Sequence, residues 1–479
     1  MTKKPTPPPR KKESEKKAIH QKQIISTVTD KGHLIELAYD HTKDKALFVS
    51  WDGKTHKSID SYSPKRGIRL IPAKNVATLI KLNVVHFPSG VMEYGNTQDL
   101  IEAIRSYIHR YVDVSEDFER LAANYVLLTW VYDRFKELPY LRRRGDYGTG
   151  KTRFLTIIGS ICYKPIFASG AATASPIFHL INQIGGTLII DEADFRFSDE
   201  SALIAKILNC GNEKGYPLLR SETTNGKDYQ PRAFKVFGPK IVGMRGRYDD
   251  VALESRFLTE TSANPSLRSN IPINLPIEQE AEAQILRDKL LLYRFRNFTH
   301  SGSPKPIKDA QLEPRMHQIL APLLSIAVDR QDEDAILKHA KGAQAALDDA
   351  RGQTLEAEVL TIIKKLMMKE ASSGVSVKDI AKYHGKAFLD KTSRPIHPRS
   401  MGHTIRTKLN IPTQKSNGVF MVPKSQHQAL NRLYERYSVT EADVERLAES
   451  FGEITTVEYP VDIGDVGGRS HKGKPEQMA

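Results

Sequence analysis

The stretch GDYGTGKT, residues 145–152, decides the fold of this 479-residue chain. It satisfies the pattern GxxxxGK(S/T) and lies between LPYL, which is typical of a strand, and RFLTIIGSI, which is typical of a helix. Its three glycines can adopt backbone angles closed to other residues, so successive amides can turn toward phosphate oxygens. Lys151 adds positive charge for the β and γ phosphates, and Thr152 offers a hydroxyl to Mg²⁺ at the positive end of a helix. The phosphate-binding residues predicted from this pattern are Gly145, Asp146, Tyr147, Gly148, Thr149, Gly150, Lys151 and Thr152. We call this stretch the phosphate loop. The alternative is a glycine-rich turn that binds nothing.

An acidic element downstream favours a catalytic site. In GGTLIIDEAD, residues 185–194, apolar and β-branched residues precede two acids, as in a buried strand that ends in carboxylates. Such a strand delivers its acids at the carboxyl edge of a sheet, where ligands bind in open α/β folds. Asp191 would then hold Mg²⁺, directly or through water, and Glu192 would orient and deprotonate the attacking water. The alternative for DEAD is a solvated loop, but together the two motifs predict hydrolysis as well as binding.

The surrounding pattern predicts a parallel α/β sheet. From Pro139 to about Ser262, strand-like apolar runs alternate with helical ones, as in parallel strands joined by crossover helices. One feature conflicts with a buried strand before the phosphate loop, because Arg142, Arg143 and Arg144 are consecutive there. We expect these arginines to lie just past the sheet, in the mouth of the site.

The charge balance favours a polyanionic partner. The chain has 71 lysines and arginines against 57 acids, a formal net charge of +14. Because basic side chains that neutralise phosphates release counterions, nucleic acid is the first candidate. The alternative is a solubility charge concentrated in a basic, proline-rich N-terminal tail.

Composition also excludes several classes of protein. The two cysteines, Cys162 and Cys210, form no CxxC pair, which excludes a disulfide framework and a structural zinc site. No apolar run reaches about 18 residues, and the polar N-terminus lacks the apolar stretch of a signal peptide. We therefore expect a cytoplasmic protein without a membrane span.

The motifs resemble those of AAA+ ATPases, and within them the helicases of phages, plasmids and integrated elements related to superfamily 3 and to the minichromosome-maintenance proteins. The strongest elements are GDYGTGKT, GGTLIIDEAD and FGPKIVGMRGRYDDVALESRFL, the last at residues 237–258. The resemblance covers Pro139 to about Arg256 well and the following helices more loosely. It implies ATP and Mg²⁺ as cofactors, and a homo-oligomeric ring, expected to be a hexamer, that acts on DNA.

The resemblance also implies roles for single arginines. ALESRFL looks like the segment that carries the arginine finger of minichromosome-maintenance proteins, which makes Arg256 the matching catalytic residue. Its charge would stabilise the γ-phosphate in a neighbouring subunit's site; the alternative is a surface salt bridge. The first sensor of the family is often an Asn after an apolar strand, but KIVGMRG has none, so either Arg245 takes this catalytic role or it is vacant. The second sensor has three candidates in one helix, Arg287, Arg294 and Arg296.

A hairpin is predicted in YPLLRSETTNGKDYQPRAFKVF, residues 216–237, because an NG pair separates two β-like stretches. In the helicases that the chain resembles, a hairpin at this place projects into the ring channel and pushes on the DNA backbone with a basic tip. Lys227 is the matching residue, with Arg220 and Arg232 behind it. The alternative is an ordinary surface hairpin.

Residues 353–437 are predicted to form a winged helix. VSVKDIAKYHGKAF indicates a strand and a helix, PRSMGHTIRTKL a second helix, and IPTQKSNGVFMVP a strand pair. The second helix of such a module can enter a major groove while the wing touches phosphate. The expected nucleic-acid contacts are Arg399, His403, Arg406, Lys408 and Lys415. Many winged helices bind protein or only pack, so that alternative stays open.

The predicted fold class is α/β: an AAA+ P-loop core with a parallel sheet, a helical lid, a C-terminal winged helix and a small N-terminal β-rich module. The predicted divisions are a disordered basic arm at 1–30, an N-terminal α+β module at 31–112, the ATPase core at 113–270, the helical lid at 271–352, the winged helix at 353–437, and a C-terminal helix with a flexible tail at 438–479.

Two functions follow from these features. The leading one is an ATP-hydrolysing ring helicase or translocase that acts on DNA in replication of a mobile element or virus. The alternative is an ATP-switched DNA-binding loader or regulator without unwinding activity, which the missing sensor Asn keeps open. A metabolic P-loop kinase fits the basic charge and the winged module poorly.

Overall fold

The computed structural model describes residues 20–450 of the chain. Excepted within this range are 66, 170–171, 192–198, 225–227, 249, 263–267, 300–308, 310–311, 353, 370–373, 389–394 and 417. The chain divides into two compact units, Met1–Gln344 and Ala345–Ala479. In the described ranges, no helix combines the length and the apolar character needed to cross a membrane.

The first unit begins with β-strands, of which LIELAYD and KALFVSW are rich in branched and aromatic residues, which favour a pleated, half-buried surface. These strands are β1 (His20–Ile24), β2 (Ser26–Val28), β3 (Leu34–Asp40), β4 (Lys45–Trp51), β5 (His56–Ile59), β6 (Tyr62–Lys65) and β7 (Ile68–Pro72). Strands β2 to β5 form a four-stranded antiparallel sheet, and β1, β7 and β6 form a second sheet. Strand β3 is buried from Leu34 to Tyr39, so both of its faces are covered.

The predicted arm at 1–30 extends too far along the chain, because β1 and β2 lie inside it. The backbone of β1 pairs in parallel with β7, and Ile25, which is buried, anchors this stretch in the core. A polar run can form an edge strand because the ladder needs only backbone groups and an apolar anchor. Residues 1–19 lie outside the described range.

Helices α1 (Val76–Lys81), α2 (Thr97–Tyr111) and α3 (Glu116–Val131) come next. The side chain of Asn96 caps α2 by accepting a hydrogen bond from the Asp99 amide at 2.9 Å. Helix α3 is buried almost all round, which is typical of a helix at the centre of a domain.

The core is a five-stranded parallel sheet, which confirms the predicted parallel α/β arrangement. Its elements are β8 (Tyr140–Arg144), α4 (Lys151–Ser160), β9 (Ile166–Ala168), α5 (Ala174–Ile184), β10 (Leu188–Ile190), α6 (Asp199–Cys210), β11 (Leu218–Thr224), β12 (Asp228–Phe234), β13 (Lys240–Met244), α7 (Val251–Glu254) and β14 (Phe257–Thr261). The strand order is β14-β8-β13-β10-β9, with β11 and β12 as a separate pair. The carboxyl ends of β8, β13 and β10 therefore meet at one edge of the sheet.

Arg142 and Arg143 lie inside β8, so the prediction that they line the mouth of the site was wrong. The Arg142 side chain is 2% exposed, and its two terminal nitrogens donate to the two carboxylate oxygens of Glu254. Arg143 donates to the hydroxyl of Ser262 at 3.0 Å, and burial lowers the pKa of its guanidinium. A buried charge is tolerated where a partner and hydrogen bonds replace water.

The region predicted as a lid forms helices α8 (Glu278–Asn297), α9 (Pro314–Ile326) and α10 (Arg330–Gly352). Helix α8 packs against α2 and α3, and α9 packs against α3. The ring of Phe295 stacks on Trp51 of β4, with centroids 5.6 Å apart. Helix α8 is thus held against the N-terminal strands.

A network of buried charges joins the N-terminal strands to the core and to α8. Glu36 of β3 accepts hydrogen bonds from the Tyr163 hydroxyl at 2.8 Å and from Arg294 Nε at 2.8 Å, and it pairs with Lys164 at 2.9 Å. Arg294 also donates to both carboxylate oxygens of Asp133, at 2.9 and 2.8 Å. The two cations hold the pKa of Glu36 below its usual value, against the effect of burial.

The second unit contains a small antiparallel sheet and a group of helices. Its elements are α11 (Leu355–Lys369), β15 (Gly374–Ser376), α12 (Val377–Ala387), α13 (Pro398–Thr407), β16 (Gln414–Ser416), β17 (Val419–Pro423), α14 (His427–Arg436) and α15 (Glu441–Ser450). The sheet order is β15-β17-β16. This order of a helix, a strand, two helices and a strand pair is the one that the sequence predicts for the winged helix.

The substitution Glu36→Ala should destabilise the first unit strongly, because it leaves Lys164 buried without its carboxylate. We expect the free energy of unfolding to fall by about 3–5 kcal/mol. Urea unfolding followed by tryptophan fluorescence measures this, since both tryptophans, Trp51 and Trp130, lie in the first unit. Asp60→Asn, which breaks an exposed pair with Lys45, is the control and should leave the midpoint unchanged. Equal effects of the two substitutions would contradict a stabilising role for the network.

Candidate nucleotide site

The phosphate loop has the backbone that its glycines predict. Gly148 and Gly150 have φ angles of +73° and +78°, in the left-handed region that favours glycine, and Gly150 is the N-cap of α4. Gly145 is needed for space instead, because a Cβ there would lie 2.6 Å from Thr149 Oγ1. The loop between β8 and α4 thus turns tightly onto the N-terminus of a helix, where unpaired amides and the helix dipole favour anions.

Lys151 is the first residue of α4, and its side chain folds back over the loop. The ammonium group donates to the carbonyl oxygen of Gly145 at 2.8 Å and to that of Asp146 at 2.6 Å. The oxygens of a phosphate bound in the loop would be negatively charged, and they would therefore accept stronger hydrogen bonds from Lys151 than these carbonyl oxygens do. The geometry fits the predicted role of Lys151.

The glycine-rich motif and the acidic motif meet at the carboxyl ends of the parallel strands. Asp191 directly follows β10, and its Oδ2 accepts a hydrogen bond from Thr152 Oγ1 at 2.6 Å. The backbone amide of Asp191 donates to the carbonyl of Ala168 at 3.1 Å, which extends the pairing with β9. The two predicted metal ligands are therefore in direct contact.

The donor set of this site fits a magnesium ion. A hydroxyl and a carboxylate are hard oxygen ligands, and Mg²⁺ takes its other ligands from water and substrate phosphates. Within the described part of the chain, no group of three or more His, Cys, Asp or Glu side chains could hold a metal. Thr152 and Asp191 would supply two of the ligands of such an ion.

Gly243 is a site residue that the sequence analysis missed. It lies in β13 between the two motif strands, and a Cβ there would lie 3.1 Å from Asp191 Oδ1 and 2.9 Å from Leu155 Cδ1. A glycine inside a buried strand often marks such a close approach, and this was the available signal. Gly243 leaves room for the Asp191 carboxylate.

Two of the predicted functional residues lie outside the described residues. Glu192, the predicted general base, follows Asp191 directly in the chain. Lys227, the predicted tip of the hairpin, falls between β11 and β12 in the chain. Both assignments stay predictions from the sequence.

Arg245, the candidate first sensor, lies at the phosphate loop. It follows β13, and its guanidinium carbon is 3.6 Å from the ring centroid of Tyr147. The Tyr147 side chain is 75% exposed, so this cation–π contact forms at the surface of the loop. The residue after β13 therefore contacts the phosphate loop of the same chain.

Arg256, the predicted arginine finger, lies at the amino ends of the strands, opposite the end where the phosphate loop lies. Its carbonyl oxygen accepts from the amide of Tyr140, the first residue of β8, at 2.8 Å. The phosphate loop follows the other end of β8, which is roughly 13 Å away at about 3.3 Å per residue. The Arg256 side chain is buried and donates to Asn209 of α6, and burial lowers its pKa. Arg256 therefore does not reach the phosphate loop of its own chain.

The three arginines of α8 that were candidates for the second sensor have partners elsewhere. Arg287 donates to the carbonyl of Ser160, at the far end of α4, at 2.7 Å. Arg294 belongs to the Glu36 network, and Arg296 pairs with Glu93 at 2.6 Å. The structure brings none of these three to the phosphate loop.

The predicted hairpin is formed by β11 and β12. The two strands pair antiparallel, and the register places Arg220 directly opposite Arg232. Both arginines are exposed, and each lies over an aromatic ring, Arg220 over Phe178 at 5.3 Å and Arg232 over Phe234 at 5.1 Å. The two cations predicted behind the tip thus share one face of the hairpin.

The basic residues predicted to contact nucleic acid through a winged helix lie at the surface of the second unit. Arg399, His403, Arg406, Lys408 and Lys415 are all exposed, on α13, just after it and on β16. Lys408 pairs with Glu356 at 3.1 Å, and Arg406 donates to Thr413 at 3.2 Å.

The substitution Asp191→Asn should remove the dependence of nucleotide binding on magnesium. Because one carboxylate oxygen of the ion site is lost, we expect the Mg²⁺-dependent gain in ATP affinity to fall by roughly tenfold or more. Isothermal titration with ATP, with and without Mg²⁺, measures this gain. Asp250→Asn, at the N-cap of α7, is the matched control. An unchanged magnesium effect in Asp191→Asn would remove this residue from the ion site.

Comparisons with known proteins give matches only among solved structures. No family model and no curated protein match its sequence. Its structure is similar to the NrS-1 C-terminal region, with a TM-score of 0.35, 12% identity, and coverage of 81% of this chain and 97% of that one. It is also similar to the SCCmec type IV Cch active helicase, with a TM-score of 0.38, 10% identity, and coverage of 86% and 80%. A full-length MCM homolog from Methanopyrus kandleri gives a TM-score of 0.34, 11% identity, and coverage of 67% and 74%. All three TM-scores lie below 0.5, so support for a function has to come from this chain's own residues.

Proposed function

We propose that this chain is an AAA+-type ATPase that hydrolyses ATP as a ring, expected to be a hexamer, and moves along or opens DNA in replication of a mobile element or virus. The observation that carries the proposal is the contact of 2.6 Å between Thr152 and Asp191, which joins two separate motifs at one edge of a parallel sheet. A glycine-rich turn that binds no ligand does not require the Thr152 hydroxyl and the Asp191 carboxylate to lie together next to Lys151.

The proposed reaction is hydrolysis of the terminal phosphate. Water attacks the γ-phosphorus of ATP. The bond between this phosphorus and the oxygen that bridges the β and γ phosphates breaks, which gives ADP and phosphate. Glu192 accepts a proton from this water, and Lys151 stabilises negative charge on the β and γ phosphates. Mg²⁺, when held by Thr152 and Asp191, would neutralise charge on the same phosphates.

Two arginines have different proposed places in this cycle. Arg245 is near enough to the phosphate loop to sense the γ-phosphate in its own chain, by leaving the ring of Tyr147. Arg256 lies at the opposite end of the strands from the phosphate loop, and its proposed place is beside the nucleotide of a neighbouring subunit. Such a role requires Arg256 to exchange its contact with Asn209 for that nucleotide.

The hairpin supports contact with a polyanion. Arg220 and Arg232 are exposed and directly opposite each other, so two positive charges share one face of the hairpin. Because basic side chains that contact phosphates release counterions, this face favours a phosphate backbone. With Lys227 at the tip, the hairpin would present three cations to a DNA strand, and the winged helix would add a second, separate contact through Arg399 and Arg406.

A second candidate function is an ATP-switched DNA-binding loader or regulator that never unwinds. It is favoured by the absence of an Asn after β13, where Arg245 and Gly246 follow instead. A forked duplex distinguishes the two functions. The helicase displaces a strand with ATP and the Lys151→Ala variant displaces none, whereas a loader hydrolyses ATP with no displaced strand.

The substitution Lys227→Ala should lower the number of base pairs opened for each ATP hydrolysed, because the tip of the hairpin loses its charge. Strand displacement and phosphate release, measured together on a forked duplex, give this ratio. Lys57→Ala, on the exposed strand β5 of the N-terminal sheet, is the matched control and should keep the wild-type ratio. A wild-type ratio in Lys227→Ala would reject the channel role of the hairpin.

A further inference from the structure

A cleft separate from the phosphate loop lies between α4, α8 and the stretch 80–87, which contains the end of α1 and the residues after it. Its volume is about 310 Å³. Thr156 and Ser160 form its α4 wall, Gln279 and Arg287 its α8 wall, and Val85 and Phe87 an apolar side. Thr156 and Ser160 lie about 6 and 12 Å along α4 from Thr152, at 1.5 Å per residue, so the cleft is displaced from the proposed metal site.

A buried cation with incomplete partners lines this cleft. Arg287 is 7% exposed; its Nη1 donates to the carbonyl of Ser160 at 2.7 Å and its Nη2 to the side-chain oxygen of Gln284 at 2.5 Å. Its Nε is buried and has no hydrogen-bond partner. Among the described residues, no carboxylate lies within the 4 Å of an ion pair with Arg287, although Asp288 and Glu280 attract it from farther away.

The neighbouring acid is already used by other groups. Asp288 accepts hydrogen bonds from the amide of Ser89 at 2.7 Å and from its hydroxyl at 2.5 Å. By contrast, buried Arg142 and Arg294 each have a carboxylate within 3 Å. A buried guanidinium that contacts only neutral oxygens carries a desolvation cost that a bound anion would offset.

The remaining lining restricts the kind of anion. Burial lowers the pKa of His86 to about 3, so its imidazole is neutral near pH 7 and adds no second charge. Val85 and Phe87 are buried and apolar, Gln279 and Asn83 add amides, and Glu280 adds an exposed carboxylate. One anionic group together with a compact, partly apolar body matches this combination.

We propose that the cleft binds a small organic anion, a carboxylate or phosphate whose head group pairs with Arg287 and whose body lies against Val85 and Phe87. The ligand would join the helix of the phosphate loop, α4, to α8. This site does not depend on the proposed ATPase activity, because none of its residues belongs to the phosphate loop.

Isothermal titration of the chain with acetate, benzoate and inorganic phosphate tests the site, with acetamide and benzamide as neutral controls. The Lys151→Ala variant serves as the starting protein, so that phosphate in the loop does not contribute. We expect one ion to bind per chain and the matching amide not to bind. Adding Arg287→Gln should weaken binding by roughly thirtyfold or more, as expected for loss of a buried charge partner.

A second variant keeps the test decisive if Arg287→Gln does not fold. Ala281 lines the cleft and is exposed, so Ala281→Trp should block the cleft with little effect on folding, and it should also abolish binding. The proposal is overturned if none of the three ions binds, if the amides bind as well as the ions, or if Ala281→Trp binds like its parent. Because no arm uses hydrolysis, failure here would leave the ATPase proposal untouched.

Discussion

The hydrogen bond between the Thr152 hydroxyl and the Asp191 carboxylate is the contact on which the account of this protein depends. It exists because β8, β13 and β10 run parallel, so the loop after β8 and the acid after β10 reach the same edge of the sheet. Gly243 on the intervening strand leaves room for the carboxylate. Chain topology, and not the motifs alone, therefore converts two short sequences into one site.

Buried charges hold the scaffold around that site. Arg142 lies on β8, the strand directly before the phosphate loop, and its ion pair with Glu254 joins this strand to α7. The Glu36 network joins the N-terminal strands to α8 and to the segment after α4. Each of these buried charged groups is hydrogen-bonded, and its partners offset the cost of removing it from water. These partners lie on different elements, so the contacts form only when the elements are packed as they are here. Such networks favour a single geometry for the loop, which a site that positions a phosphate requires.

The sequence predicted the features that depend on local patterns and missed those that depend on distant partners. The phosphate loop, the acidic strand and the hairpin follow from glycine placement and apolar runs of a few residues, and the parallel sheet follows from their alternation. The burial of Arg142 could not be predicted, because its partner Glu254 is 112 residues away. Strand β1 and the places of Arg287, Arg294 and Arg296 were missed for the same reason. Arg256 could be matched to a motif, but its contact with Asn209 is set by packing.

The most direct test of the central claim is equilibrium binding of ATP with Mg²⁺ to the chain and to its Lys151→Ala and Thr152→Val variants. If amides and Lys151 hold a triphosphate while Thr152 and Asp191 hold the ion, the chain binds one ATP, Lys151→Ala loses it, and Thr152→Val binds ATP with little benefit from magnesium. Absence of ATP binding in the unsubstituted chain, or binding that neither variant weakens, would contradict the claim.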